Sequence, residues 1–183
     1  MNSLQGHLLV ASPQLLDPNF VQSVVLMVQH DEDGAMGLIV NRPTTTKAHE
    51  AWAKICHTPC HRREPLYQGG PCEGPLMAIH ACDHMAQLQV FEGVFFTTEK
   101  DSIEWLVEQN QGPMKLFVGC AGWAPGQLED ELNTGSWLTY PASSEFVFST
   151  DPDHWISVTK QIARSMSDPV LNPKIVPRDP SLN

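Results

Sequence analysis

The sequence predicts an α+β protein with a mixed, mostly antiparallel sheet. Two observations support this class: the predicted strands outnumber the predicted helices, and they follow one another as hairpins instead of alternating regularly with helices. A length of 183 residues, without an internal repeat or a second hydrophobic block, is typical of one domain. We therefore predict a single domain over residues 1–167, followed by a proline-rich tail over residues 168–183.

The N-terminal part of the chain has the clearest strand patterns. Gly6 to Ala11 is apolar, and Phe20 to His30 has a continuous β-branched centre that is typical of a strand buried on both faces. An Asp-Glu-Asp-Gly turn separates this segment from a third predicted strand, Ala35 to Val40, so the two form a hairpin. Lys47 to Cys56 has apolar residues at helical spacing and predicts a short helix.

The rest of the chain predicts shorter elements in the same irregular order. Asp151 is a suitable N-cap for the last helix, and Pro152 suits its first position. The prolines in the tail prevent a helix and weaken any strand there. The further predicted strands are Leu66 to Gln68, Leu76 to Ala81, Leu88 to Thr97, Lys115 to Cys120 and Trp137 to Tyr140, and the further helices are Glu99 to Gln109, Gln127 to Asn133 and Asp151 to Ser167.

The charge balance argues against direct nucleic-acid binding. The chain has 21 acidic and 11 basic residues, a formal net charge of −10, whereas affinity for nucleic acid comes largely from neutralising phosphates. The first basic residue is Arg42, and none lies between Lys115 and Lys160. A basic groove would have to be assembled mostly from Arg42, Lys47, Lys54, Arg62 and Arg63.

The sequence shows no targeting or membrane-spanning pattern, so we predict a cytoplasmic protein without a membrane association. No apolar run approaches the roughly 18 residues of a membrane span. Met1 to Ala11 contains no Lys or Arg, so the basic segment of a signal peptide is missing. In a reducing compartment the five cysteines are expected to be free thiols or metal ligands, not a disulfide framework.

A Cys/His segment offers weak candidates for a metal site: Cys56, Cys60 and His61. Three residues separate the two cysteines, within the usual spread for zinc, but no second matched pair follows. Pro59 also prevents a continuous helix that would place them on one face. The pattern favours incidental cysteines and surface histidines, so we predict no metal and no cofactor, and we keep a metal-dependent or Cys/His-based hydrolase as the alternative.

Other motifs that could carry chemistry are also explained by structure. Cys120 ends a predicted strand before an Ala-Gly turn, where a nucleophile could be presented, but a buried thiol is the more common role for a strand cysteine. The Gly-Gly-Pro and Gly-Cys-Ala-Gly turns match no phosphate-binding loop. The helix after the second turn opens with Glu129, Asp130 and Glu131, which would oppose an anion at its N-terminus.

Four ordered motifs are spread over about residues 6–165. They are Leu9 to Pro13 and Leu16 to Phe20 with Ser23 to Leu26, His30 with Gly34 to Pro43, Gly69 to Pro71 with His80, and Gly119 to Glu131 with Trp137. Together these motifs resemble the YqgE/AlgH family of bacterial proteins. The sequence departs from the family at Cys120, where members usually have an aromatic residue, and after the last helix.

The resemblance implies a fold and a set of site residues. The fold it implies is an α+β sheet folded into a pseudo-barrel with flanking helices. Some members of the family are labelled as transcriptional regulators. The site residues that the motifs imply, for a ligand or a partner, are Asp17, Asn19, Phe20, His30, Asn41, Arg42, His80, Trp123, Gln127, Glu129 and Glu131. Much of this set could equally serve the fold.

The sequence thus favours a non-enzymatic binding or regulatory module that acts through an unidentified protein or small ligand. No catalytic constellation is assembled by the motifs. The positive charge is absent from the two regions with the strongest motifs, so a regulatory role would act indirectly and not through DNA. Whether Asn41, Arg42, His80 and Glu129 converge on one pocket is a question for the tertiary structure.

Overall fold

The computed structural model describes residues 3–56 and 58–167. Its strands are β1 (His7–Ala11), β2 (Val24–Asp31), β3 (Gly34–Ile39), β4 (Pro43–Lys47), β5 (Pro65–Gln68), β6 (Met77–His80), β7 (Leu88–Phe91), β8 (Val94–Thr97), β9 (Met114–Val118), β10 (Ala121–Trp123) and β11 (Trp137–Pro141). Its α-helices are α1 (Ala48–Trp52), α2 (Lys100–Gln109), α3 (Gln127–Asn133), α4 (Ser144–Val147) and α5 (His154–Ser167), and a 3₁₀ turn spans Asp83–Met85.

The strands form two sheets. The first sheet has the order β10-β3-β2-β1-β11 and is antiparallel throughout. The second has the order β4-β5-β9-β6-β8-β7, and there the neighbours β5 and β9 are parallel. The predicted class, α+β with mixed and mostly antiparallel strands, is confirmed. The two sheets pack around a shared core, so the pseudo-barrel is two facing sheets and not one closed cylinder.

The first sheet is buried on both faces because its apolar side chains alternate between two cores. Leu8 and Leu26 face the core shared with the second sheet. Leu9 and Val25, one position along, face a separate core that is covered by α3. Since successive side chains of a strand point to opposite faces, the continuous apolar run of β2 fills both cores at once.

The second sheet contributes to the shared core and is covered on its other face by helices. Ile79 and Phe117 lie in the core between the sheets. Ala78 and Leu116 lie on the opposite face, where they contact α1 and the apolar side of α2. Helices α1, α2 and α3 thus flank the outer faces of the sheets, as the family resemblance implied, whereas α4 and α5 pack against the shared core through Val147, Val158 and Ile162.

The chain passes from the second sheet to the first at Gly119, between β9 and β10. Gly119 has a φ of +69°, and a Cβ on Gly70 would lie 2.2 Å from the carbonyl carbon of Cys120. No side chain fits where two backbones approach this closely, and the left-handed φ favours glycine. Both glycine-containing motifs therefore serve this crossing.

Several predicted boundaries differ from the structure. The strand predicted over Phe20 to His30 begins only at Val24, and the helix predicted over Lys47 to Cys56 is shorter. The strand predicted over Leu88 to Thr97 is a hairpin, since Gly93 turns the chain with a φ of +76°. The last helix begins at His154, three residues after its predicted cap.

Two remaining predictions concern membrane-spanning helices and the C-terminal tail. No helix within residues 3–56 and 58–167 is long and apolar enough to cross a membrane. The predicted proline-rich tail, residues 168–183, lies outside the described residues, and the single-domain boundary at 167 stays a prediction.

Candidate functional site

His30 is a buried histidine with both ring nitrogens occupied. The backbone N–H of Leu4 donates to its Nδ1 at 3.0 Å, so the ring proton is on Nε2. Nε2 in turn donates to the Oε1 atom of Glu129 at 2.9 Å. His30 therefore connects the N-terminal segment and α3 to β2, and its ring has no nitrogen left for a ligand.

Glu131 is the acceptor for two buried tryptophans. Its Oε2 atom accepts from the indole N–H of Trp123 at 3.0 Å and from that of Trp137 at 2.8 Å. Its Oε1 atom accepts from the side-chain amide of Gln127 at 2.9 Å. Buried indole groups need such a partner. Glu131 and Gln127 therefore satisfy the tryptophans that α3 covers.

Phe20 completes this aromatic cluster. Its ring stacks on Trp123 at a centroid distance of 6.1 Å and meets Trp137 edge-on at 5.4 Å. The two tryptophans meet edge-on at 6.0 Å. These offset and edge geometries are the favourable ones for aromatic packing. Phe20, Trp123, Gln127, Glu129 and Glu131 thus stabilise the outer core of the first sheet.

Asn41 holds the turn that precedes β2. Its side-chain oxygen accepts from the backbone N–H of Val24 at 2.8 Å. Its side-chain amide donates to the carbonyl of Gln22 at 2.9 Å. Gln22 has a φ of +54°, a conformation that is unusual for a side-chain-bearing residue and needs support from its surroundings. Asn41 provides that support.

Arg42 holds the loop just before that turn. Its guanidinium donates to the backbone carbonyls of Asn19 and Val21. The carboxylate of Asp17 accepts from the backbone N–H of Asn19 at 2.8 Å, as expected for an aspartate before a proline turn. Asp17, Asn19 and Arg42 therefore fix the loop at residues 17–21 to the first sheet.

His80 differs from the motif residues described above because only one of its two ring nitrogens forms a hydrogen bond. It ends β6 and is only 1% exposed. The backbone N–H of Cys82 donates to Nδ1 at 3.3 Å, which leaves the ring proton on Nε2. Nε2 has no hydrogen-bond partner within the described part of the chain. Burial lowers the pKa of His80, so the ring is neutral at pH 7 and presents a free N–H donor.

His80 lines a cavity of about 330 Å³ between the end of β6 and the last turns of α2. Trp105, which is 38% exposed, and Gln109 line it from α2. Gln111 lines it from the loop that leads to β9, and Cys82 from the segment after β6. The cavity therefore combines an aromatic face and two amides with a buried histidine whose Nε2–H has no partner among the described residues, a lining that suits a small polar molecule.

The four motif residues Asn41, Arg42, His80 and Glu129 do not converge on one pocket. Asn41 and Arg42 line a different cavity, of about 270 Å³, beside the first turn of α5. Glu129 is engaged with His30 on the outer face of the first sheet. Of these four candidates, His80 alone lines the cavity beside α2.

The metal candidates are not brought together. The Cys56 thiol donates to the Oε1 atom of Glu104 at 3.1 Å, and His61 is exposed. Burial raises the pKa of the Cys60 thiol, which disfavours the thiolate that zinc requires. Residues 3–56 and 58–167 contain no group of three His, Cys, Asp or Glu side chains placed to hold a metal ion.

Cys120 does not have the surroundings of an activated nucleophile. Its backbone pairs with that of Cys72 across the crossing between the sheets. Burial raises the pKa of its thiol, and the neighbouring Cys72 raises it further. A reactive cysteine needs the opposite shift, which a nearby cation or helix N-terminus would supply.

Sequence reasoning missed Trp105, Gln109 and Gln111. One signal was available: Trp105 lies between Ile103 and Leu106 on α2, yet it does not share their buried face. Single exposed apolar side chains are common on protein surfaces, so this signal by itself would not have identified the cavity.

Comparisons with known proteins cover nearly the whole chain. A family model described as AlgH-like matches residues 8–167. A UPF0301 protein of Idiomarina loihiensis is 36% identical over 171 residues, which span 88% of this chain and 92% of that protein. A UPF0301 protein of Stenotrophomonas maltophilia is 42% identical over 154 residues, which span 80% of this chain and 81% of that protein.

Two solved structures share the fold. The solution structure of the AlgH protein from Pseudomonas aeruginosa has a TM-score of 0.73 and 29% identity, and the match covers 98% of this chain and 99% of that one. The crystal structure of protein DIP2367 from Corynebacterium diphtheriae has a TM-score of 0.72 at 24% identity, with 88% of each chain covered.

The fold defines a class: α+β proteins built from two facing sheets. The family model and the relatives then place the chain in one family. The chain belongs to the AlgH-like family. The resemblance seen in the four sequence motifs is thereby confirmed.

Proposed function

We propose that this protein is a non-enzymatic regulatory module that binds a small molecule in the cavity beside α2. The observation that carries the proposal is His80, a buried imidazole whose Nε2–H faces no partner in the described structure while its ring lines the cavity. A buried polar group without a partner costs about 1–3 kcal/mol. A ligand that accepts this hydrogen bond would recover that free energy.

The chemistry of the cavity favours binding over catalysis. The Nδ1 atom of His80 accepts from a backbone N–H, so no carboxylate orients the ring as a general base. Asp83, the carboxylate that lines the cavity, pairs with the exposed His84 instead. The alternative of a Cys/His hydrolase has no nucleophile and base in hydrogen-bond contact to support it at this cavity.

The lining residues indicate the kind of ligand. A volume of about 330 Å³ lies at the lower end of the range for ligand pockets, roughly 300–1,000 Å³, and suits a metabolite. The indole of Trp105 offers a face for a flat ring. The N–H of His80 requires an acceptor, and the amides of Gln109 and Gln111 can pair with either polarity. A small planar molecule with a ring nitrogen or a carbonyl meets these conditions.

The distribution of positive charge supports an indirect regulatory route. Of the few basic residues, Arg62 and Lys115 are buried, and Arg42 donates to backbone carbonyls. This removes two of the five residues from which a basic groove would be assembled. We therefore propose that ligand binding affects a protein partner, not a direct contact with DNA.

The experiment is an NMR titration with planar probes: nicotinate, anthranilate and indole. We expect at least one probe to shift the His80 ring and the Trp105 indole resonances in a saturable manner. Gln109→Ala should weaken that probe, whereas Glu108→Ala, an exposed neighbour on the same helix, should not. Equal effects of both variants would contradict the site, and turnover of a probe that Gln109→Ala abolishes would contradict the non-enzymatic role.

A further inference from the structure

A second cavity contains two buried cations. It has a volume of about 160 Å³ and lies beyond the loop at residues 111–113 from the first cavity. Arg62 is 5% exposed and Lys115 is 4% exposed, and both line it together with Tyr67 and Glu64. A protein with a net charge of −10 has no shortage of carboxylates. Burying two cations at one cavity therefore calls for an explanation.

Lys115 is held without a carboxylate. Its Nζ donates to the carbonyl of Val40 at 2.9 Å and to that of Ser149 at 2.6 Å. It also lies 4.4 Å from the centre of the Tyr67 ring. No ion pair joins Lys115 to an acidic side chain within the described residues. Burial lowers its pKa to about 7, which reflects the missing counter-charge.

Arg62 is only loosely satisfied. Its Nη2 donates to the carbonyls of Gln111 and Gly112, both at 3.4 Å, and its Nη1 lies 3.6 Å from Glu64. These contacts are longer than a normal hydrogen bond. The buried Nε–H has no partner among the described residues. One N–H of the guanidinium is therefore without a partner inside the protein.

We propose that this cavity is a binding site for a small oxyanion, the carboxylate or phosphate group of a small molecule, held by Arg62 and Lys115. The unpartnered Nε–H of Arg62 can donate to one oxygen of such a group, and charge-assisted bonds of this kind are the strong ones. The volume fits the anionic group and a few more atoms. The anion supplies the counter-charge that Lys115 lacks.

The other titratable groups around the cavity permit an anion there. Glu64 would repel it, but its side chain is 51% exposed, so water screens the repulsion. Burial raises the pKa of Tyr67, which keeps its hydroxyl neutral. Burial and the charge of Lys115 lower the pKa of His154 to about 4, so that ring is neutral as well. Arg62 therefore supplies the permanent positive charge of the cavity, and Lys115, with a pKa of about 7, is protonated in about half of the molecules at pH 7.

The test uses inorganic phosphate and acetate as probes against chloride at the same ionic strength. We expect phosphate or acetate to shift the Arg62 Nε–H resonance in a saturable manner and to raise the midpoint of thermal unfolding. The two probes distinguish a phosphate group from a carboxylate. Arg62→Gln should weaken binding at least tenfold, while Arg63→Gln, the exposed neighbour in the same loop, should leave it unchanged.

Two outcomes would overturn the proposal. One is the lack of a saturable shift at Arg62 with either probe, and the other is an equal loss in Arg62→Gln and Arg63→Gln, which would mean diffuse ion binding at the surface. If Arg62→Gln does not fold, Arg62→Lys keeps the charge but removes Nε and must still weaken binding. The His80 resonances report the first cavity separately, so failure here leaves the proposed function intact.

Discussion

Removing the carboxylate of Glu131 tests whether the acidic motif on α3 serves the fold. In Glu131→Ala the buried indole groups of Trp123 and Trp137 lose their shared acceptor. A buried donor left without a partner costs about 1–3 kcal/mol. Water can reach the partly exposed position and replace some of the loss, so we expect the free energy of unfolding to fall by about 2–3 kcal/mol. Glu131→Gln keeps an acceptor oxygen and should lose about half as much.

Urea unfolding followed by circular dichroism measures this loss without relying on the affected tryptophans. For a chain of this length, a loss of this size lowers the melting temperature by roughly 4–12 °C. Asp130→Ala, the exposed neighbour on the same helix, is the matched control and should change stability by less than about 0.5 kcal/mol. If Glu131→Ala is no less stable than Asp130→Ala, Glu131 is not a structural acceptor and its role as a binding residue must be reconsidered.

Three further predictions follow from single contacts. The folded-state pKa of His154, about 4, lies below its ordinary value of 6.5, so the unfolded chain binds more protons than the folded chain between these two pH values. About 3 kcal/mol of the free energy of unfolding should therefore be lost as the pH falls from 6.5 to 4. His154→Phe should abolish that part of the loss in acid. Iodoacetamide should alkylate the exposed Cys72 at least ten times faster than Cys120, whose pKa burial raises, and equal rates in a peptide mass map would contradict this. Arg42→Met should cost about 1–3 kcal/mol and speed amide exchange at residues 17–22, with α5 unchanged as the internal reference.

The two cavities suggest how binding could be transmitted. Gly112 lines both, and Arg62 donates to the carbonyls of Gln111 and Gly112 in the loop between them. An anion that drew the guanidinium away from these long contacts would alter the loop that borders the first cavity. If both sites are occupied, the binding of one ligand would then change the affinity for the other, and the change would be reciprocal.

Helix α3 shows what a sequence pattern can predict well. Its bounds, Gln127–Asn133, agree with the prediction, and its Leu128 side chain is buried. Early acidic residues and apolar side chains four positions apart are local features, set within one or two turns of the helix. The hairpin of β2 and β3 was predicted for the same reason, because its turn and its apolar runs are neighbours in the sequence.

Strand β10 shows where such patterns fail. Ala121–Trp123 begins within the segment Gly119 to Gly122 that was predicted as a turn, but it pairs with Ala35–Gly37, far away along the chain. Strand β4 was missed for the same reason, because it pairs with β5, from which it is separated by helix α1 and the segment that follows it. Pairing with a distant strand supplies the hydrogen bonds that local propensity does not predict.

The sequence by itself determined the fold class through its pattern of strands and helices, and its motifs determined the family and the set of candidate site residues. They did not separate residues that hold the fold from residues that face a cavity. His30 and His80 belong to the same motif set, yet one ring is bonded at both nitrogens and the other at one. Lys115 carried no motif, yet it meets carbonyls of Val40 and Ser149. The tertiary structure decided these roles, because a side chain's partners come from segments far apart in the chain.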